Sequence, residues 1–182
     1  MKRIFVTLAL CATTLLLITI VLGLNIDDAK SVEAQGSISQ HMLIGMGALT
    51  FGILVHAISL TYFMGTGRWI EETSNAYGLG DELYNKSQKI KYGTLPGLTT
   101  CVGLLIATGA FGAVADPATQ ISLDGFLGMS GATIHFGVAI TTLVVNGLTN
   151  FTQFVAISKN SLVVESVLAE VRRIRTERGL PT

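Results

Sequence analysis

At 182 residues, with twelve basic and twelve acidic side chains, the chain has no net charge at neutral pH, which removes a bulk electrostatic attraction to nucleic acid. Hydrophobic residues make up 49% of it, and the mean hydropathy of +0.58 is too high for an ordinary soluble domain. The composition points to a chain that lives in lipid.

Four long apolar runs follow in order, and the basic residues say which way each one faces. Lys2 and Arg3 precede the first run. Arg68, Lys86, Lys89 and Lys91 lie between the second and third, and Lys159, Arg172, Arg173, Arg175 and Arg178 follow the fourth; only Lys30 falls elsewhere. The positive-inside rule then expects four spans with both termini in the cytoplasm of a cell (inner) membrane. The segments holding Asp27, Asp28 and Glu33, and Asp116 and Asp124, are expected outside.

The first span, residues 4–24, is long enough for the ~30 Å hydrocarbon core. Lys2-Arg3 ahead of an apolar run also fits a signal peptide, but only the poor cleavage site Val21-Leu22-Gly23 follows, so the expectation is a retained anchor. The second span covers about 39–64, with Arg68 and Trp69 as interface anchors. An inner loop, 65–95, is expected to hold a continuing turn of helix, a break at Gly78-Leu79-Gly80, and a short helix capped by Asp81. That short helix carries Leu83, Tyr84 and Ile90 and is expected to lie along the inner surface. The third span, 96–114, starts at Pro96, a residue tolerated in a first helical turn. The fourth covers 125–157. Residues 158–182 read as a cytoplasmic amphipathic helix, set apart from the 1–157 transmembrane domain. The expected fold is an all-α integral membrane protein, an up-down antiparallel bundle of four transmembrane helices with that tail. Cys11 and Cys101, both inside apolar runs, are expected to act as small packing residues.

Polar and small residues in the spans carry what functional signal there is. On span two His41, Gly45, Ala48, Gly52, His56 and Ser59 share a stripe about 80° wide at ~100° per residue. On span four His135 shares a face with Gly131, Thr142, Asn146, Asn150 and Gln153. Buried polar groups are costly at membrane depth and point into a bundle. Spans two and four run the same way. Aligning Arg68 with Lys159 at their inner ends brings His135 to within ~5 Å of the level of His41, and Asn146 beside His56. Aligning the outer ends instead leaves His135 ~12 Å from His41.

Two neutral imidazoles at one depth can hold a haem iron. The leading expectation is therefore an electron-transfer and anchor subunit of a respiratory-type complex, rather than a self-contained enzyme. Haem b would sit between His41 and His135, with Gly45, Gly52 and Gly131 giving close approach. His56, Asn146, Asn150 and Tyr62 would line a polar cavity for a quinone. Copper is the weaker metal candidate, through Met42, Met46 and Met129. Two other readings stay open: a non-catalytic structural or assembly subunit, and a small transporter or pore lined by the amides. Expected partners are lipid and other membrane subunits or further copies of the chain. No carboxylate lies inside a span, which excludes a di-iron carboxylate bundle, and no H-E-x-x-H or zinc cysteine spacing is present.

Overall fold

The computed structural model describes residues 1–181 and consists of four long helices: α1 (Lys2–Leu24), α2 (Gln35–Tyr77), α3 (Glu82–Ala115) and α4 (Gly131–Glu177). A single 3₁₀ turn, Phe126–Gly128, interrupts the link into α4. All four helices are long and apolar enough to cross a membrane by length and composition.

The helices are longer than the apolar runs. With 43 and 47 residues, α2 and α4 are roughly 65–70 Å long at ~1.5 Å per residue, twice the thickness of a hydrocarbon core. The surplus is a stalk in which Ile70 of α2 and Val163 and Val167 of α4 bury together, with Leu83, Tyr84 and Ile90 of α3 against them. This corrects the expected inner loop. Residues 65–95 extend α2 and α3, separated only by a turn at 78–81, and Leu83, Tyr84 and Ile90 pack into the stalk instead of along a surface. Gly78 closes α2 in the left-handed region (φ 69°), and the Leu79 N–H donates to the Ser74 carbonyl, as a glycine C-cap requires.

Pro96 likewise sits in the middle of α3 and not at its start. Proline removes one intrahelical hydrogen bond, yet the helix runs on, and the nearby Thr94 and Thr99 hydroxyls donate to backbone carbonyls of the preceding turn. The tail beyond residue 157 is the uninterrupted continuation of α4. At its other end α4 starts at Gly131, later than 125, because Gly125, Leu127 and Gly128 all take positive φ. Ser130 caps it by accepting the Thr133 N–H.

Two further clusters lie above the stalk. Phe5, Ala9 and Ala12 of α1 pack with Val55 and Phe63 of α2 and with Ala156 and Ile157 of α4. Leu16 packs with Ala48, Cys101 and Leu105. Elsewhere the usual arrangement is inverted. Leu148 and Phe151 of α4 are 63% and 66% exposed, whereas Asn146 and Gln153 on the same helix are 1% and 0% exposed.

Candidate functional site

Three polar layers cross the interior. The outermost joins α2 and α4 through His41 and His135, which lie 94 residues apart in sequence (135 − 41) and have ring centroids 6.1 Å apart, with planes at 85°. Each ring rests against a glycine of another helix. A methyl group added at Gly23 of α1 would come within 2.9 Å of His41 Cε1, and one at Gly112 of α3 within 3.1 Å of His135 Cε1. All four helices therefore contribute to this layer. His41 Nδ1 lies 3.0 Å from the Thr19 carbonyl oxygen. A carbonyl only accepts, so Nδ1 carries the proton and the lone pair of the neutral ring is on Nε2. His135 Nδ1 is buried without a hydrogen-bond partner.

Below this, Thr108 of α3 and Thr142 of α4 share a hydroxyl contact of 2.6 Å. The second layer centres on His56, which is fully buried. Its Nδ1 is 3.1 Å from Gln153 Oε1 and its Nε2 is 3.1 Å from Asn146 Oδ1, with Cys101 Sγ 3.2 Å from the same Nε2. A neutral imidazole has one N–H to give, so facing two carbonyl oxygens leaves one contact without a donor unless an amide presents its NH₂. Asn146 Nδ2, Asn150 Oδ1, Gln153 Nε2 and Ser59 Oγ are all buried and unpartnered in or beside this layer.

The third layer is complete. Asn160 accepts from Ser87 Oγ at 2.8 Å, donates to Thr66 Oγ1 at 2.9 Å and reaches the Tyr62 hydroxyl at 3.4 Å, tying α2, α3 and α4 together.

Set against the sequence-based expectations, the structure brings His41 to His135 and Asn146 to His56. Tyr62 belongs to the Asn160 layer and not with His56, six residues away along α2. The glycines expected to face a cofactor are occupied by protein. Gly45 faces the Thr19 methyl at 3.2 Å, Gly52 the Leu105 methyls at 3.3 Å, and the Gly131 N–H is held by Asp124 Oδ1 at 2.8 Å. The glycines that touch the imidazoles are Gly112 of α3 and Gly23 of α1, the latter having entered only as part of a poor cleavage site. The signal that would have found them is position: each lies near the C-terminal end of its helix, level with the histidine it meets. Cys101 touches His56, a closer part than mere packing. Met42, Met46 and Met129 are exposed.

In the link before α4, the N–H of Gly131, the Ser122 side chain and the Lys30 charge together hold the Asp124 carboxyl below its usual range. This pins the start of α4, four residues before His135.

Comparison with models of known protein families, with curated proteins and with solved structures finds no match to this chain.

Proposed function

We propose that the chain is a multi-pass protein of the cell membrane, inserted as an up-down antiparallel bundle with both termini cytoplasmic. We propose further that it holds one b-type haem between His41 and His135 as an electron-transfer subunit of a larger membrane complex. The inverted burial pattern supports insertion, since large apolar side chains cover the outside while amides and hydroxyls fill the inside. The clustering of Phe5 with Phe63, of Leu16 with Ala48, and of Gly23 with His41 supports opposed directions for α1 and α2.

The observation that carries the haem reading is the 6.1 Å between the two ring centroids. His41 and His135 would hold the group, since an imidazole nitrogen binds a metal at ~2.0–2.1 Å and two rings serving one ion would have centres about 6 Å apart. The donor set also fits. Among the described residues no group of three or more His, Cys, Asp or Glu comes together. Zinc sites take three or four protein ligands, whereas a macrocycle supplies four nitrogens of its own and needs two from the protein. The exposed methionines lend copper no support. The hydrogen bond from His41 Nδ1 to a main-chain carbonyl is the outer support that ligating histidines commonly have: it fixes the tautomer and the ring. Gly23 and Gly112 leave room for the two rings. Bound here, a haem would carry one electron at a time.

The test is the reduced-minus-oxidised visible spectrum of protein expressed with haem available. The expected result is a Soret and α-band lost in both His41→Ala and His135→Ala and kept in His56→Ala. A colourless wild type, or a band that persists in either of the first two, contradicts the assignment.

The unpartnered atoms of Asn146, Asn150 and Gln153 favour a second reading, a polar path through an oligomer. It predicts solute flux in liposomes that Asn146→Leu stops. Flux at the level of empty liposomes removes it.

A further inference from the structure

Beside the start of α1, the outer face of α2 carries a groove of about 450 Å³ lined by Met1, Ile58, Thr61, Tyr62, Gly65 and Thr66. The five α2 residues recur at helical spacing along one side of the helix. Gly65 makes the hollow: a methyl group built on it meets nothing within 4 Å. The threonines offer no free donor, because Thr61 Oγ1 donates to the Ala57 carbonyl and Thr66 Oγ1 to the Tyr62 carbonyl. With both hydroxyl protons used inside their own helix, the groove suits hydrocarbon.

Charge gathers at its mouth. Phe5 packs with Phe63, and Met1 itself lines the groove, so Lys2 and Arg3 stand within about one helical turn of the level of Gly65. Both are exposed, and neither is paired: among the described residues, the ion pairs are Arg68–Glu72, Arg173–Glu170 and Arg173–Glu177. Arg68, one turn beyond Gly65, is partly screened by Glu72 and Glu71. Its contact with Glu72 is exposed on both sides, and such a pair contributes little. Trp69 follows, 37% exposed, a residue type enriched at the level of lipid headgroups.

We propose that this groove binds one anionic phospholipid, with an acyl chain laid along Ile58, Tyr62 and Gly65 and the phosphate held by Lys2 and Arg3, with Arg68 beside them. Basic side chains at a membrane surface favour a headgroup of net negative charge, whereas a zwitterionic headgroup brings its own cation to the same place. A second copy of the chain fits less well, since two copies in one membrane would set the same basic level face to face. The inference rests on the membrane insertion proposed above and is independent of the haem.

The test is native mass spectrometry of the full chain released from detergent, after titration with phosphatidylglycerol or with phosphatidylcholine of identical acyl chains. The expected result is one saturable phosphatidylglycerol per chain, with phosphatidylcholine bound about tenfold or more weakly. Gly65→Leu fills the hollow without touching a neighbour and should lose that lipid, whereas Gly47→Leu, at an equally open position on the same helix, should keep it. Affinity should also fall about tenfold in Lys2→Gln with Arg3→Gln; if that variant fails to fold, the lipid comparison and Gly65→Leu decide alone. Equal retention of both lipids, wild-type retention in Gly65→Leu, or dimers in place of bound lipid overturns the proposal. A chain that stays soluble without detergent contradicts the insertion itself, whereas an inserted chain that retains no lipid contradicts this inference alone.

Discussion

His41 with His135 and His56 with its amides are two histidine centres on the same bundle, and they differ in what is left free. His56 is the more buried, yet Gln153, Asn146 and Cys101 surround both of its nitrogens. In the outer pair, the Thr19 carbonyl occupies one nitrogen of His41 and leaves the other lone pair available, and His135 Nδ1 has no partner at all. Depth of burial and a free lone pair therefore do not coincide in this bundle. The cause lies in α4. His56 follows His41 by 15 residues (56 − 41), and 15 residues after His135 (150 − 135) stands Asn150. Where α2 presents a second imidazole, α4 answers with amides, so only one level can offer two imidazoles.

The largest expected effect is the loss of bound haem in His41→Ala and His135→Ala beside its retention in His56→Ala. Next come the two glycines. Gly23→Leu and Gly112→Leu drive a side chain into the space of one ring each, and haem affinity should fall about 10–100-fold, the usual range for disturbing the support of a metal ligand. Gly45→Ala brings a methyl group to 3.2 Å from Thr19 Cγ2 and to neither imidazole, and should leave affinity near wild type. Equal losses in all three variants would mean general loosening of the bundle and would erase the contrast.

The middle layer should answer in stability. His56→Ala removes the one ring N–H that the Asn146 and Gln153 carbonyl oxygens compete for, at about 1–3 kcal/mol for a buried acceptor left without a donor. The unfolding midpoint should drop while the haem spectrum of the remaining folded protein is unchanged. The smallest effect belongs to Asp124. Its folded pKa is held down, so its contribution is fully present above the ordinary carboxylate range and fades as pH falls through the lower, folded value. Hydrogen exchange at the first turn of α4 should quicken in that acid window, and in Asp124→Asn at neutral pH, with the His56 layer unaffected.

The four long apolar helices and their inward faces were legible because apolar runs and helical periodicity are one-dimensional signals. Arg68 and Lys159 served as a common mark, and the depth they implied for His135 lies close to where it meets His41. The continuous stalk was not legible. The break at Gly78-Leu79-Gly80 is real, but Pro96 and the polar character of 82–91 resemble boundaries and are not, and Ile70, Val163 and Val167 come together only in three dimensions. Gly23 and Gly112 were hidden for the same reason. Their role depends on a neighbour from another helix, and no pattern within α1 or α3 announces it.

The most direct test of the central claim is the ferric electron paramagnetic resonance spectrum of the purified chain, with haem quantified per polypeptide. Two imidazole ligands predict a low-spin signal at one haem per chain, present in His56→Ala and converted to high-spin or lost in His41→Ala and in His135→Ala. A high-spin wild type, or a low-spin signal that survives removal of either outer histidine, would contradict the account.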